Sequence, residues 1–350
     1  MKTSIFIFVL AAAIYTAGCS GVEVPEQTNT QKQNPVFDIA MQGVDPAWFD
    51  RAMVGVDFGI HRMERYGELV ADSSELIRRS LSEMDQNGIL YGLLSHGSHK
   101  EAWHDAHPAR FLLSFEPDLS LEDHTAAAAE FAQGVREGRY AALGELGLVY
   151  AGIPLNTPAL FPYYEVAEEL GVPVFIHTGF SGPDPQNRIS PAFRIGTADP
   201  LLLEDVVIRF PDMKIVMMHM GWPFFDHALY MLGTYPNVYM ETSVAIWVLG
   251  PALFNRMLAE AVATAGSDRI LFGTLQMAWP ELIGRSVKTI RDADYLTPEG
   301  KHAILWENAI RVLGLEEKIT APIPEVITRL NSFYPGFTAW AEELASTGNQ

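Results

Sequence analysis

A chain of 350 residues with a single cysteine can form no intrachain disulfide, so packing must hold it together. Basic residues are scarce as well, with 24 Lys and Arg set against 43 Asp and Glu, for a formal net charge of −19. Binding nucleic acid needs clustered cations to neutralise phosphates, and no such cluster occurs, so nucleic acid is excluded as a partner. The acidity serves solubility. The leading apolar run, Ile5 to Ile14, is shorter than the roughly 20 residues that cross a bilayer. No glycine-rich phosphate loop follows the first candidate strand, which argues against a doubly wound dinucleotide-binding sheet.

The first nineteen residues have their own texture. Met1 and Lys2 form a minimal basic start, an apolar stretch of signal-peptide length follows, and Thr16-Ala17-Gly18-Cys19 then resembles a bacterial lipobox. Thr16 departs from the usual Leu of that motif. The expectation is a leader over 1–18, lipidation at Cys19, and a chain exported to the cell envelope and held at the membrane by its anchor. The alternative is an ordinary secretory signal with an incidental cysteine. Residues 19–47 begin with a stretch rich in Gln, Asn, Thr and Glu and read as a flexible tether and entry segment.

Beyond the tether, hydrophobic residues make up enough of the chain (48% overall) for a large core. Short β-branched runs alternate with longer stretches of helical period. Strands are expected at Met53–Gly59, Ile89–His96, Arg110–Glu116, Tyr140–Leu146, Val172–Thr178, Lys214–Met220, Val238–Thr242 and Arg269–Thr274. Helix signals fall between them, such as Asp72-Ser73-Ser74-Glu75 before an apolar run, and Gly171 followed by Pro173. Eight strand–helix units predict a single-domain α/β fold, a (β/α)8 TIM barrel over 48–315, with a C-terminal helical extension over 316–350.

Chemistry in such a barrel collects at the C-terminal ends of the strands. Those ends carry Asp57, Gly59 and His61 on strand one, His96 on two, Glu116 on three, Glu145 on four, His177 on five, His219 on six, Glu241 on seven, and Thr274, Leu275 and Gln276 on eight. Imidazoles and carboxylates from different strands bind divalent metals or move protons. A lone histidine after an apolar run is more often structural, but four at four strand ends point to a site. Trp222, Trp247 and Trp279 follow strands six to eight and either wall the pocket or cap the barrel. Arg188 and Arg194 lie in a long loop after strand five, as solvated residues or as a clamp for a substrate carboxylate.

The segments "GVPVFIHTG", "KIVMMHMGWP", "YPNVYMETS", "DRILFGTLQMAWPE" and "ILWENAIRVLGL" together resemble the amidohydrolase-related family, in the branch that includes aminocarboxymuconate-semialdehyde decarboxylase. That resemblance implies a (β/α)8 barrel with one divalent metal, Zn or Mn. It implies ligands from a D-x-H-x-H pattern on strand one, a histidine on strand five and an aspartate on strand eight, with a further histidine on strand six acting on the substrate. Asp57, His61, His177 and His219 match these places, while Gly59 and Leu275 fall where a histidine and the aspartate are expected. His61 and His177 are then the retained ligands, Glu145 is the best substitute ligand, and Asp57, Glu145 and His219 are the candidate catalytic groups. His96, Glu116, Trp222, Glu241, Gln276 and Trp279 are expected around a small-molecule substrate. The implied activity is hydrolysis of a small carboxylated or cyclic compound. The alternatives are a metal-independent lactonase or lyase, and a catalytically inactive binding protein at the envelope.

Overall fold

The computed structural model describes residues 35–44, 69–179, 181–182 and 184–316. Eight parallel strands follow one another around a barrel in chain order: β1 (Val36–Gln42), β2 (Ile89–His96), β3 (Phe111–Phe115), β4 (Tyr140–Leu146), β5 (Val174–Ile176), β6 (Ile215–Met217), β7 (Val238–Glu241) and β8 (Ile270–Leu271). Each pairs in parallel with the next. The main chain then closes the ring between the last strand and the first. Ile39 N–H donates to Phe272 O at 3.0 Å, and Leu275 N–H donates to Ala40 O at 2.7 Å. The architecture is the (β/α)8 barrel that the alternation predicts.

Helices cover the outside: α1 (Ser73–Asn87), α2 (Lys100–Ala106), α3 (Thr125–Arg136), α4 (Phe161–Leu170), α5 (Glu204–Arg209), α6 (Phe225–Thr234), α7 (Pro251–Ala265) and α8 (Glu281–Arg291). Their ends follow local chemistry. The Asp72 carboxylate caps α1 by accepting from Glu75 N–H at 2.8 Å, and Gly88 ends it at φ 73°, a left-handed conformation that glycine adopts without a Cβ clash. Leu76, Leu81 and Met84 put the buried face of α1 against the barrel.

The apolar residues separate into an inner and an outer layer. Phe37, Ile39, Leu90, Phe175, Val216 and Leu271 pack together from five different strands, with Trp306 and Val312 of the C-terminal helical segment joining them. A larger set, including Val36, Met41, Leu94, Leu143 and Ile176, packs with the helices. Helix α9 (Asn308–Leu313) is tied to the sheet by the Asn308 amide, which donates to Ser267 O and Ile270 O at 2.8 and 2.7 Å.

The first strand differs from expectation. Its place is taken by Val36–Gln42, inside the segment read as a tether, so the barrel begins well before Trp48. Met53–Gly59 lies outside the described residues, as do the leader with Cys19 and residues 317–350. The reason is physical. Val36–Gln42 follows a polar tract and carries Asp38 and Gln42, which look unsuited to a buried strand. Both are accommodated by partners that only the closed barrel supplies. Asp38 accepts from Thr274, and Gln42 exchanges hydrogen bonds with the Gln276 amide. The later strands are shorter than expected at β5, β6 and β8.

Candidate active site

Three strand ends bring one acid and two imidazoles to a point. Glu145 lies on β4, His177 directly follows β5, and His219 stands two residues beyond β6. All three are buried. Glu145 Oε1 is 2.7 Å from His177 Nδ1 and 3.3 Å from His219 Nε2, and the two imidazole nitrogens are 3.1 Å apart. One donor atom from each thus lies within 4.8 Å of the others, an arrangement that could hold a metal ion. Two imidazoles and a carboxylate match the three protein ligands of many catalytic zinc sites.

The electronic state of the group suits a cation. Burial opposes charge on Glu145, yet hydrogen bonds and charge from His177 and His219 outweigh it and hold the carboxyl well below its usual range. Burial, with help from His177, pushes His219 below the ordinary imidazole value. An ionised carboxylate beside a neutral imidazole is the form in which both act as ligands. The Ser243 carbonyl, which can only accept, lies 3.2 Å from His219 Nδ1, so that nitrogen carries a proton, while Nε2 faces Glu145 and His177, where a cation would replace the proton it shares with the carboxylate. Glu145 Oε2 is buried with no hydrogen-bond partner. An orphan carboxylate oxygen is costly in a protein interior unless something electropositive comes to it.

Behind His219 stands a clamp that sequence position alone does not reveal. Glu241, at the end of β7, accepts from Ser243 Oγ at 2.6 Å and from the His219 backbone N–H at 3.4 Å. Ser243 Oγ is in turn 3.0 Å from His219 Nδ1. Residues His219 (φ 62°), Met220 (φ 54°) and Val244 (φ 59°) all adopt left-handed backbone, which costs a non-glycine residue energy unless its surroundings impose it. Glu241 and Ser243 are what impose it at His219. Burial drives the Glu241 carboxyl up to about 8, against hydrogen bonds from Ser243 and His219.

The remaining expected residues divide. His96 and Glu116 meet at the ends of β2 and β3, Nδ1 to Oε1, at 2.6 Å. Trp222 lines a cavity of about 280 Å³ beyond β6, with Phe224, His227 and Arg256. Glu241, Gln276 and Trp279, expected around the substrate, are almost fully buried, as are Glu145, His177 and His219. Glu241 serves His219, Gln276 clips β1 to the segment after β8, and Trp279 packs against Trp247. Leu275 follows Thr274 at φ 45°, 4% exposed. Asp57, Gly59 and His61 lie outside the described residues. On the observed first strand, the acid-first spacing of the resemblance falls on Asp38, Ala40 and Gln42, with alanine and glutamine in place of the histidines.

Asp38 is the main buried acid that the sequence left unnoticed. Thr274 N–H and Oγ1 donate to it at 3.0 and 2.6 Å, yet burial outweighs these bonds and lifts the carboxyl from 3.8 to about 7. Between those values the folded chain holds a proton that the unfolded chain has released, so stability falls as pH rises through this window. Asp38→Asn is expected to flatten that slope, by an amount on the order of 3 kcal/mol between pH 5 and 8. Urea unfolding at the two pH values measures it, and parallel losses in variant and wild type would contradict the assignment.

A family model described as amidohydrolase matches residues 98–315. Among curated proteins, the fluG protein of Emericella nidulans is 24% identical over 161 residues, 42% of this chain but only 18% of the relative's length. Among solved structures, a putative metal-dependent hydrolase from Lactobacillus casei shares 15% identity at a TM-score of 0.62, covering 82% of this chain and 96% of that one. An uncharacterised TIM-barrel protein from Bordetella bronchiseptica shares 22% at 0.61, covering 80% and 98%. A dihydroxybenzoic acid decarboxylase from Polaromonas, solved with bound manganese and the inhibitor 2-nitroresorcinol, shares 18% at 0.55, covering 81% and 97%. At these identities the solved structures speak for the fold.

Proposed function

Since this chain belongs to the amidohydrolase family, we propose that it is a hydrolase that uses one divalent cation, Zn or Mn, held by Glu145, His177 and His219, to cleave a small carboxylated or cyclic substrate. The observation that carries this reading is the convergence of those three buried donors, with Glu145 Oε2 left unpartnered. When bound, the cation supplies a Lewis acid that polarises the scissile group and makes water a better nucleophile. The chain's own part is positional and basic. Glu145 Oε2 is the buried acceptor for the proton that water releases on attack. His219 is fixed in one tautomer and one orientation by Ser243 and Glu241, and His177 is fixed by Glu145. The leader and Cys19 place the activity at the cell envelope in this reading.

A metal-independent lactonase or lyase is the second reading. It is favoured by the observed first strand, where Ala40 offers no ligand and Gln42 only an amide, and by the aliphatic side chain of Leu275. Elemental analysis of purified protein separates the two. The metal reading expects close to one Zn or Mn per chain, lost in His177→Ala. Protein that stays metal-free after loading with excess Zn and Mn would leave the acid–base reading standing and overturn this one.

A further inference from the structure

If the substrate carries a carboxylate, a cationic side chain at the mouth of the barrel would favour it, and several of the large basic side chains are committed elsewhere. Arg110, Lys214 and Arg269 each sit at or just before the N-terminal end of a strand, where they bind backbone carbonyls. Arg194, on the loop after β5, donates to the carbonyls of Pro191 and Phe193 in its own loop, at 3.1 and 2.6 Å. Among the described residues, the cationic groups gathered at the ends of β2 and β3 are His96 and Lys100. Both share one carboxylate. Glu116 Oε1 lies 2.6 Å from His96 Nδ1, and Glu116 Oε2 lies 3.2 Å from Lys100 Nζ. The Lys100 side chain is nearly covered, at 10% exposed, whereas that of His96 is 44% exposed. His96 spends Nδ1 on Glu116, which leaves Nε2 as the ring nitrogen for another partner.

The charges around it favour the protonated ring. Burial pulls His96 down, but the hydrogen bond and charge of Glu116 outweigh it, and Glu145 adds to the lift, so the imidazole ends above its ordinary value. The ends of β2 and β3 lie beside the end of β4, which carries Glu145, so this cluster and the two imidazoles share the C-terminal face of the barrel. Glu116 is thus shared between two cationic groups in a chain that carries −19 overall.

We propose that His96, held in place by Glu116, is the anion-recognition residue of this site, with its Nε2–H receiving a carboxylate oxygen of the substrate. The proposal rests on the reading of Glu145, His177 and His219 as the reacting centre. A charge-assisted bond from a fixed imidazolium discriminates a carboxylate from a neutral amide of the same shape.

The test compares benzoate with benzamide by calorimetric titration of the full chain, with Mn2+ present and again after chelation. Wild type is expected to bind benzoate about tenfold more tightly than benzamide. His96→Gln keeps a neutral polar side chain and should abolish that preference while binding benzamide as before. His96→Arg should restore it. The proposal is overturned if wild type shows no preference, if His96→Gln retains it, or if that variant weakens both probes equally. Mn2+ stoichiometry, measured on the same samples, reports separately on Glu145, His177 and His219. Its failure defeats the metal reading and leaves the benzoate comparison intact.

Discussion

Glu145→Gln is expected to leave the barrel folded and to lower kcat/KM, for any substrate that a hydrolase screen identifies, by about 10²–10⁴-fold. The amide keeps the shape of the carboxyl and an oxygen that can still face His177 and His219. It loses the negative charge and the second acceptor oxygen, which is buried and unpartnered in the native chain. Metal affinity should fall as well, because a charged ligand becomes a neutral one. The comparison of interest is between the two losses. Metal restored by raising its concentration should not restore turnover, since the proton acceptor is still missing. A Glu145→Gln variant with near-native kcat/KM at saturating metal would remove Glu145 from the role given to it.

The largest effect on stability is expected far from that site. Arg110, 6% exposed, donates to Asp85 Oδ1 at 2.7 Å, to Leu90 O at 3.0 Å and to Ile89 O at 2.8 Å. It thus links the last turns of α1 to the start of β2 and the entry to β3. Arg110→Met removes the cation while retaining most of the stem, and strips a buried carboxylate and two carbonyls of a donor. Breaking a buried pair on one side costs about 3–5 kcal/mol, far more than an exposed pair is worth. Replacing both partners, Arg110→Met with Asp85→Leu, should recover a substantial part of that loss. Urea unfolding of the single and double variants measures both. A single variant within about 1 kcal/mol of wild type, the range of exposed ion pairs, would show that the bridge is not a structural tie.

Much of this architecture was legible because it depends on local signals. Strands β2 and β4 fall where the apolar runs place them, and Gly171 ends a helix where the sequence puts it. Glu145, His177 and His219 were legible because each is the first strong polar group at the end of an apolar run. What escaped notice depends on closure. Asp38 and Gln42 make β1 look polar until Thr274 and Gln276 come round to meet them from 236 and 234 residues away. Ser243 serves His219 only through the turn taken at Val244, which no pattern announces. Lys100 opens a short helix and reads as a surface residue, yet it is buried against Glu116. For Glu241 and Gln276, lying at a strand end does not say which partners a side chain meets, His219 and Ser243 for the one and Gln42 for the other.

One divalent cation among Glu145, His177 and His219 is the arrangement proposed for this site. The most direct measurement is anomalous diffraction at the manganese edge from crystals of the protein grown with Mn2+. The account predicts a single strong peak bonded to Glu145, His177 and His219, and no such peak in His177→Ala. A fully occupied peak elsewhere in the barrel, or none at saturating Mn2+, would contradict it.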